Sequence, residues 1–310
     1  MISVALCTYN GEKYISQQLD SIFSQSIPVD EIVICDDCSE DSTCNILESY
    51  AARYPQIRLI KNEINLGFRK NFEKALTECQ GDYIFFSDQD DIWDKDKVWI
   101  CVSYLKETGK YGVYTDGLLI DQNGAYLNET MFSRLMLNPY IEHNILDNHE
   151  LELLCLRGNH VTGATLAVTK SSKDLLLPFR TSEHFIHDMW IAVKLSSINK
   201  LGRIDKPLIS YRLHSNQQCG LNKDNINDIL IDCFDKKGKC VNLRILRKYS
   251  ILPIYNFKLN WREHLRIFSF YRSLYIKNLS GNSICIDLFK FIYTEFVVRV
   301  KCLFGFRVYR

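Results

Sequence analysis

Residues 81–93 read GDYIFFSDQDDIW. A short apolar run, Tyr83 to Phe86, is bounded by Gly81 on one side and by the carboxylates Asp88, Asp90 and Asp91 on the other. An apolar run of this length between turn signals reads as a buried strand. The same design recurs upstream. ISVALCTYN (2–10) ends in Thr8, Tyr9 and Asn10, EIVICDD (31–37) ends in Asp36 and Asp37, and QIRLIKN (56–62) is a third run. Between them lie helical patterns. YISQQLDSIFSQ (14–25) places Ile15, Leu19, Ile22 and Phe23 on one face. SEDSTCNILESYAARY (39–54) reads as a helix with Ser39 at its N-cap, and NLGFRKNFEKALTEC (65–79) as one entered through Asn65 and Gly67.

Strands separated by helices of this length predict βαβ units and an α/β fold built on a mainly parallel sheet. Ligands of such sheets bind beyond the carboxyl ends of the strands. The clusters Thr8-Tyr9-Asn10, Asp36-Asp37 and Asp88 to Asp91 are therefore expected on one edge, although they are far apart in sequence. Downstream, YGVYTDGLLID (111–121) and VTGATLAVT (161–169) read as strands, SEHFIHDMWIAVKLSSI (182–198) as a helix with a polar start, and PLISYRLHSNQ (207–217) as a strand ending in a polar turn.

The chain has 310 residues, 46% apolar and 24% charged, a globular composition able to bury a large core. Its net charge of +1 conceals two halves of opposite sign. Residues 236–310 hold 16 Lys and Arg against 3 Asp and Glu, and the first 235 residues hold 22 against 34. An acidic body with a basic tail points to two tasks. The twelve cysteines are scattered, and the one CxxC pair, Cys35 and Cys38, lacks the second pair a zinc ribbon requires. Free thiols in a reducing cytosol are expected. The N-terminus has no basic segment before its apolar run, so no signal peptide is expected, and no apolar run is long enough to predict a transmembrane helix.

Crowded carboxylates repel and raise one another's pKa. Asp88 and Asp90, two apart in a chain leaving a strand, project to one side if extended, and there they form a hard oxygen site for Mg²⁺ or Mn²⁺. A solvated acidic loop that caps the next helix is the plainer alternative. Asp36 and Asp37 can accept hydrogen bonds from a base or ribose, or cap the helix that follows. Asp188, in His187-Asp188-Met189-Trp190, is either a capping carboxylate favoured by the helix dipole, with Trp190 in the core, or a general base. His184 and His187 have HxxH spacing but lack the further ligands zinc needs. His214, in YRLHSN, is a candidate metal ligand or a structural histidine.

In order along residues 1–220, SVALCTYN, IVICDDCSEDST, NLGFRKNFEKAL, FFSDQDDIW, VTGATLAV, EHFIHDMW and ISYRLHSN resemble the family 2 inverting glycosyltransferases of the GT-A fold. SDQDDIW with HDMW and YRLHSN is most similar to the bacterial rhamnosyltransferase branch, which uses dTDP-L-rhamnose to build surface polysaccharide. The resemblance implies that Thr8, Tyr9 and Asn10 line the nucleotide pocket, that Asp37 binds the base with Asp36 beside it, and that Asp88 touches the ribose or the metal shell. It implies that Asp90 ligates the metal bridging the diphosphate, that His214 adds a metal or diphosphate contact, and that Asp188 is the general base, ionised near neutral pH. The chain departs from many relatives in having His187 where they carry an acid, and the role of His187 is open.

A catalytic domain is thus expected over residues 1–222. Residues 223–310 are expected to form a basic, aromatic-rich amphipathic helical tail, with membrane contact or packing on the body as its alternatives. The implied partners are a nucleotide-sugar donor, a glycan or lipid-linked acceptor, and the inner face of a bacterial cytoplasmic membrane, with no nucleic acid. Transfer from a UDP-hexose and a catalytically silent nucleotide-sugar-binding or scaffold protein are the competing readings. A nucleotidyltransferase is disfavoured, because CTYNGEKY (7–14) has one glycine where that class carries a Gly-rich basic phosphate loop.

Overall fold

Four strands in a row carry the first hundred residues: β1 (Ile2–Thr8), β2 (Glu31–Asp36), β3 (Ile57–Lys61) and β4 (Tyr83–Ser87). They alternate with α1 (Ile15–Phe23), α2 (Thr43–Arg53) and α3 (Phe68–Glu78). The computed structural model describes residues 1–135, 154, 159–181, 186–215 and 217. The expected tail, residues 223–310, and His184 lie outside them.

All seven residues of β1 are buried, as befits a central strand covered on both faces. It pairs in parallel with β2 on one side and β4 on the other, and β2 pairs in parallel with β3. The strand order therefore begins β3-β2-β1-β4, and the direction of winding reverses at β1. A crevice opens at such a reversal, outside the carboxyl ends of the strands.

Beyond β4 the sheet becomes mixed. After β5 (Ile92–Trp93) and α4 (Lys97–Thr108) come β6 (Gly112–Ile120), β7 (Tyr126–Thr130) and α5 (Met131–Leu135). Then follow a short 3₁₀ turn at Gly163–Thr165, β8 (Ala167–Thr169), α6 (Lys173–Leu176), α7 (His187–Ser197) and β9 (Leu201–Arg212). The order continues β8-β6-β9-β5, with β7 on β6. Strand β8 runs antiparallel to both β4 and β6, whereas β6 and β9 are parallel.

Local departures from the sequence reading have local causes. The run 161–169 is a strand only from Ala167, because Leu166 and Thr165 close the 3₁₀ turn on the carbonyls of Gly163 and Thr162. Ser39 does not cap α2, which starts at Thr43. Its hydroxyl donates to Asp36 Oδ1 at 2.6 Å instead, and Asp41 accepts from the Thr43 amide at 2.9 Å. Neither Asp36 nor Asp37 caps the helix. The face of α1 is as expected: Ile15, Leu19 and Ile22 are buried, and half-buried Phe23 stacks on Tyr54 with ring centres 3.9 Å apart. The six cysteines among the described residues, Cys7, Cys35, Cys38, Cys44, Cys79 and Cys101, are free thiols. No helix among the described residues is long and apolar enough to cross a membrane.

Candidate active site

The carboxyl ends of β1, β2 and β4 bring the expected polar clusters together. Thr8 Oγ1 donates to Asp36 Oδ1 at 2.8 Å. The Asp36 carboxylate also accepts from the Ser39 amide at 2.9 Å and the Cys44 thiol at 3.3 Å. Asp37 Oδ1 accepts from the Leu66 amide at 2.7 Å and Asn62 Nδ2 at 2.8 Å, and Oδ2 from the Gly67 amide at 2.8 Å. Both aspartates are buried. Asp37 thus anchors the loop that enters α3.

Gln89 ties β1 to β4. Its side-chain amide pairs with the Tyr9 backbone, accepting from N at 2.8 Å and donating to O at 2.9 Å. This demands a glycine next door, since a Cβ on Gly11 would stand 2.2 Å from Gln89 Oε1. Asn10 has φ of 49°, its amide donates to Ser39, and its side-chain oxygen accepts from the Glu40 amide. Cys38, at φ of 66°, donates its thiol to the Asn62 carbonyl. Two non-glycine residues in the left-handed region sit at this one edge, where backbone strain tends to gather at functional sites.

The acidic loop is held from the far side of the sheet. Arg212, at the end of β9, is buried and donates through Nε to the Asp90 carbonyl at 2.8 Å. It also donates to Gln17 Oε1 at 2.6 Å and stacks over the Tyr14 ring at 4.5 Å. Its amide donates to Asp91 Oδ1 at 3.0 Å, while the buried Asp91 Oδ2 has no partner among the described residues. Two residues on, His214 Nε2 lies 2.8 Å from Asp90 Oδ2. The two residues that the family resemblance assigns to metal are therefore neighbours, though 124 residues apart in sequence.

Their chemistry suits a divalent cation of the open kind. One carboxylate oxygen and one imidazole nitrogen stand side by side, and no described group donates to the Asp88 carboxylate next to them. No group of three His, Cys, Asp or Glu able to hold a metal occurs among the described residues. That set fits an ion that fills most of its shell with substrate phosphate and water, as Mg²⁺ does. A closed structural cage would need four protein ligands.

Asp188 occupies the first turn of α7 and is buried. Its Oδ1 accepts from Asn159 Nδ2 at 2.9 Å and from the Met189 amide at 2.5 Å. Burial outweighs these bonds and pushes its pKa up to about 7. Desolvation thus works against the ionised Asp188 expected near neutral pH. The pKa of Asp88 is likewise pushed up to about 7, by burial first, then by Asp90 and then by Asp188. Asp88 thus feels the charges of both Asp90 and Asp188.

His187 faces the other way, into an aromatic box. Its ring stacks on Phe72 at 4.4 Å, with Phe68, Phe86 and Phe179 within 6.2 Å. Neither ring nitrogen has a partner among the described residues, and burial lowers its pKa to about 3. It is a neutral packing residue. Trp190 is buried and donates Nε1 to the Leu176 carbonyl at 2.8 Å, which agrees with the plainer reading's core tryptophan beside a carboxylate in the first turn of the helix. Sequence reasoning missed Gln89, Arg212, Asn159 and Gly163. Gln89 and Arg212 lie within the motifs already noticed, but their roles depend on partners remote in sequence.

The profile of the family described as Glycosyl transferase family 2 matches residues 3–162. An uncharacterized glycosyltransferase of Haemophilus influenzae is 24% identical over 268 residues, covering 83% of this chain and 80% of that protein. The dTDP-rhamnosyl transferase RfbG of Shigella flexneri is 29% identical over 232 residues, covering 70% and 74%. Among solved structures, S. aureus TarS 1-349 in complex with UDP-GlcNAc superposes with a TM-score of 0.52 at 19% identity, covering 86% of this chain and 78% of that one. The likeness to TarS is one of fold and matches the GT-A architecture of a mixed sheet flanked by helices. With the matched profile spanning just over half its length, the chain belongs to glycosyl transferase family 2.

Proposed function

We propose that the protein is a metal-dependent, inverting glycosyltransferase that moves a sugar from a nucleotide-sugar donor to a glycan or lipid-linked acceptor during bacterial surface polysaccharide synthesis. The observation that carries the reading is the 2.8 Å approach of His214 Nε2 to Asp90 Oδ2, which pairs the two residues that the family resemblance assigns to metal. A general base is most effective when its pKa lies near the working pH, and Asp188, at about 7, meets that condition.

Asp90 and His214 would hold Mg²⁺ or Mn²⁺, which when bound offsets the charge growing on the departing diphosphate. Asp188 takes the acceptor proton as the acceptor oxygen attacks the anomeric carbon from the face opposite the leaving group. A single displacement of this kind inverts the configuration and requires one carboxylate base, not the two of a glycosidase. Asn159 and the Met189 amide hold Asp188 in place. Thr8, Tyr9, Asn10, Asp36 and Asp37 form the donor side, where Gln89 fixes the Tyr9 backbone.

L-Rhamnose from dTDP-L-rhamnose is the sugar we favour, supported by the SDQDDIW, HDMW and YRLHSN motifs and by the relationship to RfbG. The basic tail would bring the enzyme to the inner face of the cytoplasmic membrane, where a lipid-linked acceptor lies.

The test is donor hydrolysis by the purified protein across dTDP-, UDP- and GDP-sugars, with Mg²⁺, with Mn²⁺ and with chelator. Metal-dependent release of dTDP from dTDP-L-rhamnose alone is expected. Release from UDP-hexoses instead would retain the mechanism and overturn the rhamnose assignment. Release that persists in chelator would overturn the metal requirement.

A further inference from the structure

Lys97 is fully buried, although it is the first residue of α4. A cation there opposes the helix dipole, which favours negative charge at an N-terminus. Burying an ammonium is costly unless it is paired, yet Lys97 forms no ion pair with a described carboxylate. Its Nζ instead donates to the Ala164 carbonyl at 2.7 Å and lies over the Trp93 ring, 4.2 Å from the centroid. The position makes little contribution to the helix, so its value must lie in what it joins.

What it joins are two loops with separate duties. On one side is the acidic segment, since Trp93 is packed against Phe85 and both Asp91 and Asp88 feel the Lys97 charge. On the other side is the 3₁₀ turn Gly163–Thr165. Ala164 is in the middle of that turn, and the adjacent Gly163 packs on the first turn of α7, where Asp188 sits. Gly163 is itself pressed against the base: a Cβ there would stand 2.9 Å from His187 Nε2 and 3.8 Å from Asp188 Cβ. A continuous path therefore runs from the acidic loop through Trp93, Lys97 and Ala164 to Gly163 and Asp188.

We infer that Lys97 is a positioning residue that fixes the Gly163–Thr165 turn, and through it Asp188, relative to the acidic loop that receives the donor. This rests on the reading of Asp188 as the base. The distance between base and leaving group must be kept to within about an ångström, because misplacement on that scale costs on the order of 100-fold in rate. A lysine spanning the two loops through one directed bond serves that purpose, where an apolar side chain would only fill the space.

The experiment compares Lys97→Met, Gly163→Ala and Asp188→Asn with the wild type in the full chain. The substrate is whichever nucleotide sugar of the dTDP-, UDP- and GDP-sugar panel the wild type hydrolyses fastest, with water as acceptor. Affinity for the matching nucleoside diphosphate is measured by calorimetry. Lys97→Met is expected to lower kcat by about 10- to 100-fold, with nucleotide affinity within about 2-fold of wild type. Gly163→Ala disturbs the same turn from its other end without altering charge, and is expected to give the same split. In both variants the acid limb of the kcat profile should move, because the turn that packs on the first turn of α7 is displaced and the surroundings of Asp188 change with it. Lys97→Met also removes a charge that Asp88 feels, whereas Gly163→Ala alters no charge near Asp88 or neutral His187, so a limb that moves in both variants reports the turn, and a general loss of stability would not move it.

Unchanged kcat and acid limb in the two variants would overturn the inference, as would nucleotide affinity falling in step with kcat. If Lys97→Met does not fold, Gly163→Ala decides alone. Should Asp188→Asn keep full activity, the base assignment itself falls, which is a different outcome from an inert Lys97.

Discussion

Two acidic clusters at the same sheet edge have been treated in opposite ways. Asp36 and Asp37 are buried, and every one of their carboxylate oxygens accepts from a protein donor. Asp88, Asp91 and Asp188 are less well compensated: Asp91 Oδ2 has no partner among the described residues, and desolvation pushes Asp88 and Asp188 up to about 7. The first cluster is solvated by the protein and holds the turns after β2 and before α3 that frame the proposed donor side. The second retains electrostatic tension that a cation or a reacting proton can relieve. Perturbed carboxylates in a cleft are a mark of chemistry, whereas satisfied ones are a mark of structure.

The sharpest way to break this comparison is at Asp188. Replacing it with Asn removes the base while preserving shape, and donor turnover should fall by about 10²- to 10⁴-fold. Calorimetric affinity for the nucleoside diphosphate should hardly change. A variant that retains turnover would place Asp188 with the structural cluster.

The pH dependence sharpens the same contrast. With Asp188 at about 7, the base form grows as pH rises, so kcat should climb between roughly pH 6 and 8 before levelling. The stability sign is the reverse. A carboxyl whose folded-state pKa is raised binds more protons in the native than in the unfolded protein over pH 4 to 7. Its contribution to stability is therefore lost as pH rises through that window. Thermal melts of Asp188→Asn should lack this part of the slope, and an identical slope would count against the burial argument.

Next in size is stability at Asp37. Asp37→Ala strands the Leu66 and Gly67 amides and Asn62, and a buried donor left unmade costs about 1–3 kcal/mol. Urea unfolding should report a loss of at least about 2 kcal/mol. By contrast, Asp91→Asn relieves a buried charge with one orphan oxygen and keeps an acceptor for the Arg212 amide. It should change stability by less than about 1 kcal/mol, in either direction.

In catalysis the smallest effect is expected at Gly11. Gly11→Ala forces Gln89 off the Tyr9 backbone, breaking two hydrogen bonds worth about 1 kcal/mol each. Because Gln89 is a movable side chain, the protein should still fold. Weaker donor binding with kcat nearly constant, seen in steady-state kinetics, would confirm that this clamp serves the donor side. A lower kcat at unchanged donor affinity would move Gln89 to the other cluster.

Much of this was legible in the chain itself. Apolar runs of strand length ending in Thr8, Asp36 and Ser87, and helical faces such as Ile15, Leu19 and Ile22, determine an α/β core because burial rewards them wherever they occur. The parallel arrangement of β1 to β4, and the gathering of the polar clusters at their carboxyl ends, follow from that alternation. What periodicity alone could not supply is any fact that needs two distant segments at once. The 2.8 Å approach of His214 to Asp90, the Gln89 clamp on Tyr9 and the Lys97 bond to Ala164 are of this kind. The same holds for the ionisation of Asp188, which its residue type alone suggests is complete at neutral pH. Only the packing of α7 against the sheet takes water away from that carboxylate, and desolvation is a property of the assembled neighbours, not of the residue.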